Sequence, residues 1–97
     1  MKILITGATG FAGRYTVDEC ERSDHEVYRQ DICDGENRLS FDICDREAMV
    51  KAVEDVQPEA CIHLAGITDV QAGWQYPDKM YSVNLLGTVN LLEAFRG

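Results

Sequence analysis

The sequence predicts an α/β domain: a parallel β-sheet held in three layers between helices. Two observations carry this. Short apolar runs at residues 2–6, 26–30 and 60–65 have the length and composition of strands. Between them lie segments whose apolar residues recur at helical spacing, so strands and helices alternate along the chain. Such alternation builds parallel strands with right-handed crossover helices on both faces of the sheet.

The elements follow in order. Lys2–Thr6 reads as a buried strand that ends at Gly7. From Phe11 onward the pattern turns helical, with Gly13, Val17 and Cys20 on one face and Arg14, Asp18, Glu21 and Arg22 on the others. Ser23, Asp24 and His25 break that helix. Residues 26–30 form a second strand that ends at Asp31, and residues 34–37 are turn chemistry. A short third strand covers residues 38–41. Asp45 is a helix N-cap, and Met49, Ala52, Val53 and Val56 form one face of the helix it opens. Pro58 stops that helix. Residues 60–65 form a fourth apolar strand ending at Gly66, and residues 67–75 a loop. Pro77 opens a last helix over about residues 78–96, with Gly97 as its C-terminal cap. The order is β-α-β-β-α-β-α, with no internal repeat or interdomain linker.

Composition limits the function classes. The 97 residues make one small domain, and 45% hydrophobic content excludes wholesale disorder. The formal charge is −8, from 17 acidic and 9 basic residues with no Lys/Arg cluster. That balance argues against nucleic acid as a partner and against anionic lipid. No apolar run approaches the length of a transmembrane helix, and the N-terminus lacks a signal-peptide core. Cys20, Cys33, Cys44 and Cys61 contain no Cys-x-x-Cys pair, so free thiols and a cytoplasmic location are expected.

The chemistry concentrates in Gly7, Ala8, Thr9, Gly10, Phe11, Ala12 and Gly13, a G-x-x-G-x-x-G segment between a strand and a helix. A strand-to-helix turn this tight needs Gly7, without a Cβ. Gly10 lets the backbone approach phosphates closely, and Gly13 lets the helix pack on the sheet. The helix N-terminus presents unpaired N–H groups, from Phe11 and Ala12, and its positive dipole end to a pyrophosphate. Asp31 ends the second strand, where an acidic residue accepts hydrogen bonds from the adenosine ribose hydroxyls of a dinucleotide. Its charge favours NAD over NADP. Arg14 and Arg29 run the other way, as groups able to meet a phosphate, and Asp31 also fits a plain turn cap.

Thr6 to Gly13, Asp31, Phe41 to Ile43, His63 to Gly66 and Val83 to Thr88 together resemble the extended short-chain dehydrogenase/reductases. Within them the sequence is most similar to the NAD-dependent nucleotide-sugar epimerases and dehydratases, and the likeness covers all 97 residues. It implies a Rossmann-type domain over residues 1–97, the N-terminal portion of the family's dinucleotide-binding unit, with strand order 3-2-1-4. By position, it implies that Asp42 meets the adenine amino group and Ile43 lies against the ring. Leu64, Ala65 and Gly66 would pass beside the pyrophosphate and ribose. Asn84 would support the nicotinamide side. Thr68 stands where some epimerases carry a lysine that touches the cofactor. Plainer roles remain open: Asp42 as a cap for the following helix, Asn84 as an exposed helix residue. His63 reads as a satisfied core histidine rather than a base, and Cys61 with His63 on one strand face does not make a metal site.

The family's chemistry uses a Ser or Thr, and a Tyr with a Lys four residues later. The tyrosinate removes a sugar hydroxyl proton as hydride leaves for NAD. No Tyr-x-x-x-Lys pair occurs here; Tyr76 and Lys79 are three apart. The expectation is therefore the cofactor-binding part of an enzyme that transiently oxidises a nucleotide sugar, inactive by itself. Two alternatives stand beside it: a non-catalytic NAD(P)-binding module and an NADPH-dependent reductase. The uncovered edge of the fourth strand and a last helix with two apolar stripes predict self-association; the resemblance implies that this helix builds a dimer interface, so a homodimer or other self-association is expected. Met80, Val83, Gly87 and Ala94 make one stripe; Tyr81, Leu85, Val89 and Leu92 make the other.

Overall fold

A computed structural model describes residues 1–32, 38–65 and 82–96, with positions 75 and 78 in isolation and only the main chain at 82 and 83. Four parallel strands form one sheet: β1 (Lys2–Thr6), β2 (Glu26–Asp31), β3 (Arg38–Ser40) and β4 (Ala60–His63). Their order is β3-β2-β1-β4, as the resemblance implies. β1 is central, with Ile5 opposite Arg29 on one side and Ile62 on the other. A strand bordered on both sides and covered on both faces must be apolar throughout, and Ile3, Leu4 and Ile5 are buried.

Alternate residues of β1 feed two cores. Ile3 and Ile5, with Val27, Ala60 and Ile62, pack beneath α1 (Phe11–Arg22) against Val17 and Cys20. Leu4, with Tyr28 and Cys61, faces the opposite way. There it meets Met49 and Val53 of α2 (Arg46–Val56) and Leu91 and Ala94 of α3 (Gly87–Arg96). The three layers are thus α1, the sheet, and α2 with α3.

Several boundaries follow their sequence signals. Asp45 caps α2, its side chain accepting from the Ala48 N–H at 3.2 Å. α2 ends at Val56, with Gln57 in a left-handed conformation (φ 53°) just ahead of Pro58, where the α region is disfavoured. β3 stops at Ser40 rather than residue 41. β4 stops at His63 rather than residue 65, because the Leu64 and Ala65 N–H groups turn onto the Thr6 side chain. The last helix begins, among the described residues, as a wide π-helical turn (Ser82–Leu86) before tightening into α3. Gly87 lies at that change, pressed against Ile43. The loop expected over residues 67–75, Gly97, and the Tyr76 and Lys79 pair lie outside the described residues. None of the described helices is long and apolar enough to cross a membrane.

Candidate functional site

The site lies at the C-terminal ends of β1, β2 and β4, where the glycine loop leaves the sheet. Loop residues 7 to 10 are all pinned. The Gly7 N–H donates to the Gln30 side-chain oxygen at 3.3 Å and the Ala8 N–H to the Gln30 carbonyl at 3.0 Å. The Thr9 N–H donates to Asp31 at 3.0 Å, and the Gly10 N–H closes the turn onto the Gly7 carbonyl at 3.2 Å. Gln30 is 2% exposed, and its amide nitrogen reaches the Phe41 carbonyl at 2.7 Å, so one side chain ties the loop to the segment after β3.

The three glycines differ in what surrounds them. Gly7 has φ +66°, and a Cβ there would stand 2.7 Å from the Ala65 nitrogen. A Cβ on Gly13 would stand 2.3 Å from the Gly7 carbonyl oxygen. Gly10 alone has room: its nearest neighbour would be 3.5 Å away. Gly7 and Gly13 therefore shape the fold, while Gly10 is exposed and a Cβ there would make only an ordinary contact. Gly10 is also the N-cap of α1, where no side chain caps the helix and the first turn holds no acidic residue. The Phe11 and Ala12 amides are left to an outside acceptor at the positive end of the helix. Both residues are exposed, with the Phe11 ring 81% exposed and edge-on to Tyr15.

Asp31 sits half-buried beside this turn. Its Oδ2 accepts from the Thr9 N–H and hydroxyl, and its Oδ1 from the Ile32 N–H at 2.7 Å. Burial works to raise its pKa, but the Thr9 and Ile32 hydrogen bonds and the nearby Arg38 charge outweigh it and hold the carboxyl below its ordinary value. A cavity of about 320 Å³ adjoins Thr9 and is lined by Arg14, Arg29 and Arg38. Of these, Arg29 pairs with Glu21 at 2.8 Å, and the Arg14 Nε donates to the Thr9 carbonyl at 3.1 Å.

The remaining predicted residues differ in their surroundings. Asp42 is exposed, and its Oδ1 accepts from the Cys44 N–H at 2.9 Å, an Asx turn that leads into the Asp45 cap. Ile43 departs from the expectation that it lies against a ring. It is 4% exposed and packs in the core against Gly87, and its carbonyl accepts from the Asn90 side-chain amide at 3.0 Å. Leu64 and Ala65 follow β4, with Ala65 directly beside Gly7; Gly66 and Thr68 lie outside the described residues. Asn84 is exposed, and its carbonyl accepts from the Thr88 hydroxyl at 2.8 Å.

Four residues to which the sequence assigns no role of their own shape the site. Gln30 and Thr9 hold the loop, and Thr6 and Thr88 bracket His63. The His63 Nδ1 is 2.6 Å from the Thr6 hydroxyl and its Nε2 3.0 Å from that of Thr88. This is the satisfied histidine that its place on a buried strand suggests. No group of three metal-ligating side chains occurs among the described residues.

A family model described as the NAD dependent epimerase/dehydratase family matches residues 3–97. The chain belongs to that family. Among curated members, it is 32% identical over 112 residues to dTDP-glucose 4,6-dehydratase 1 of Escherichia coli, covering 99% of this chain and 31% of that protein. It is 30% identical over 112 residues to UDP-glucose 4-epimerase of Klebsiella pneumoniae, covering 99% of this chain and 81% of that protein. A crystal structure of UDP-glucose 4-epimerase from Thermus thermophilus, in complex with NAD, superposes with a TM-score of 0.93 at 31% identity. That match covers 99% of this chain and 34% of the epimerase. The chain thus spans about a third of the length of the dehydratase and of the solved epimerase, and corresponds to their N-terminal part.

Proposed function

We propose that residues 1–97 form the N-terminal NAD-binding portion of a nucleotide-sugar epimerase or dehydratase. The observation that carries the reading is the pairing of an uncapped α1 N-terminus with the open backbone at Gly10. Gly7 and Gly13 fix the turn, Gly10 admits the pyrophosphate, and the Phe11 and Ala12 amides bind it. Asp31 keeps one lone pair on Oδ1 for a ribose hydroxyl. Asp42 and the main chain of Ile43 flank the adenine. Leu64, Ala65 and Gly66 line the cofactor's path, and Asn84 supports its nicotinamide end. NAD supplies a hydride acceptor when bound, and these side chains orient it and carry no proton transfer of their own.

In the whole protein the reaction is the transient oxidation of a nucleotide sugar, with the proton-abstracting Tyr and Lys outside these 97 residues. Leu85, Leu86, Val89 and Leu92 form an exposed apolar stripe along the last helix, which supports a homodimer. Calorimetric titration of the chain with NAD+ and NADP+ tests the cofactor reading: saturable NAD+ binding supports it, and no binding of either overturns it. A second reading, NADP as cofactor, is favoured by the three arginines around the cavity beside Thr9. Tighter binding of NADP+ in the same titration selects it.

A further inference from the structure

The hydrogen bonds around His63 fix its tautomer. The Thr88 hydroxyl donates to the Asn84 carbonyl at 2.8 Å, so its oxygen accepts from His63, which places a proton on Nε2. Nδ1 is then an acceptor, and the Thr6 hydroxyl donates to it at 2.6 Å. The Thr6 oxygen in turn accepts from the Leu64 N–H at 3.0 Å and the Ala65 N–H at 3.1 Å. With one proton given and two received, this buried hydroxyl is saturated.

We propose that His63 is a positioning residue: neutral and protonated on Nε2, it orients the Thr6 hydroxyl so that the Leu64–Ala65 strand end is held against the glycine loop, and its protonation weakens cofactor binding. The inference rests on the NAD reading above. A proton on Nδ1 would meet the hydroxyl proton of Thr6 head-on. The hydroxyl must rotate away from Nδ1. The Thr6 oxygen would then face three donors with two lone pairs, so one amide must leave. The Leu64 N–H can fall back on the Thr6 carbonyl at 3.2 Å, whereas the Ala65 N–H bonds, among the described residues, to the hydroxyl oxygen alone. Ala65 is the residue against which Gly7 closes, so the disturbance reaches the loop directly.

The surroundings favour the neutral form. Burial lowers the His63 pKa, and no charged side chain contributes to the shift. On β1 the charged group is Lys2, at the far end and bonded to the Val56 carbonyl. On α3 they are Glu93 and Arg96, paired with each other, with Glu93 also paired to Arg46. On β4, burial pushes the Cys61 thiol up to about 11, so it stays uncharged.

Two readouts test this. In the cofactor-free protein, nitrogen NMR of His63 should show the Nε2–H tautomer, and the Leu64 and Ala65 amide shifts should titrate with the same midpoint as His63. NAD+ affinity should fall progressively as the pH drops below about 6.5, by up to about tenfold once His63 is fully protonated, the scale of one net hydrogen bond. His63→Gln should flatten that pH dependence. An Nδ1–H tautomer, or amides indifferent to the His63 titration, overturns the proposal and needs no variant to fold. Absence of NAD+ binding at every pH overturns the cofactor reading instead, and the amide titration still decides the role of His63.

Discussion

Gly13 lies so close under Gly7 that a Cβ at position 13 would stand 2.3 Å from the Gly7 carbonyl oxygen and 2.7 Å from the Ala8 carbonyl carbon. Both neighbours are backbone and cannot move aside as a side chain would. Gly13→Ala should therefore destabilise the domain by about 1–3 kcal/mol, as overpacking does. Gly10→Ala meets nothing closer than 3.5 Å and should leave the melting temperature unchanged while weakening NAD+ about tenfold, since the added methyl stands where backbone must approach the pyrophosphate. Thermal melts and calorimetry on the two variants separate a shape-giving glycine from a ligand-facing one.

Asp31 binds its own loop as well as facing the expected ribose. Asp31→Ala should weaken NAD+ by about 1–3 kcal/mol, through lost charge-assisted hydrogen bonds, and should narrow the gap between NAD+ and NADP+. Equal losses for both cofactors would show that the carboxylate acts only on Thr9.

Acid should destabilise the domain in two stages. The folded-state pKa of His63 is lowered, so the stability it confers is present above about pH 6.5 and is lost as pH falls toward the folded value. The pKa of Asp31 is lowered too, so its contribution survives until pH drops below about 3.9 and vanishes through the folded value. Chemical denaturation across this range should show both declines. His63→Gln should lack the first.

Gly87 faces the Ile43 side chain, where a Cβ would come within 2.4 Å of Cδ1 and 2.7 Å of Cγ1. Alanine gains about 1 kcal/mol over glycine inside a helix, but overpacking here costs about 1–3 kcal/mol. Gly87→Ala should therefore lower the melting temperature, and Ile43→Val in the same chain should recover part of the loss, a coupling that a double-mutant cycle measures.

Leu92 is 65% exposed on the stripe it shares with Leu85 and Val89. Leu92→Glu should shift sedimentation toward the monomer without altering the melt. A wild-type chain that is already monomeric at high concentration contradicts the proposed dimer.

The sequence made the framework legible because its punctuation is local. Gly7 ends β1, Asp45 caps α2, and Met49, Ala52, Val53 and Val56 mark the buried face of that helix. The turn from β1 into α1 and the end of β2 at Asp31 were legible for the same reason. What escaped is the part closed across long sequence distances by unremarkable residue types. Thr6 and His63 are 57 positions apart and His63 and Thr88 are 25 apart, and a threonine carries no sign of which distant ring it will meet. Gln30 ends a strand and looks solvent-bound until its amide is seen between the loop and Phe41. The burial of the Ile43 side chain was not legible either, because the Gly87 it packs against is 44 positions away.

The pairing of β1 with β4 sets a schedule for biosynthesis. Gly7 acquires its neighbour Ala65, and Thr6 its histidine, only after a loop of more than half the chain has closed. Contacts of such separation form late, because chain entropy must be overcome before they yield anything. A nascent chain emerging from the ribosome therefore carries its N-terminal glycine turn, unbraced on one side, until β4 has followed it out.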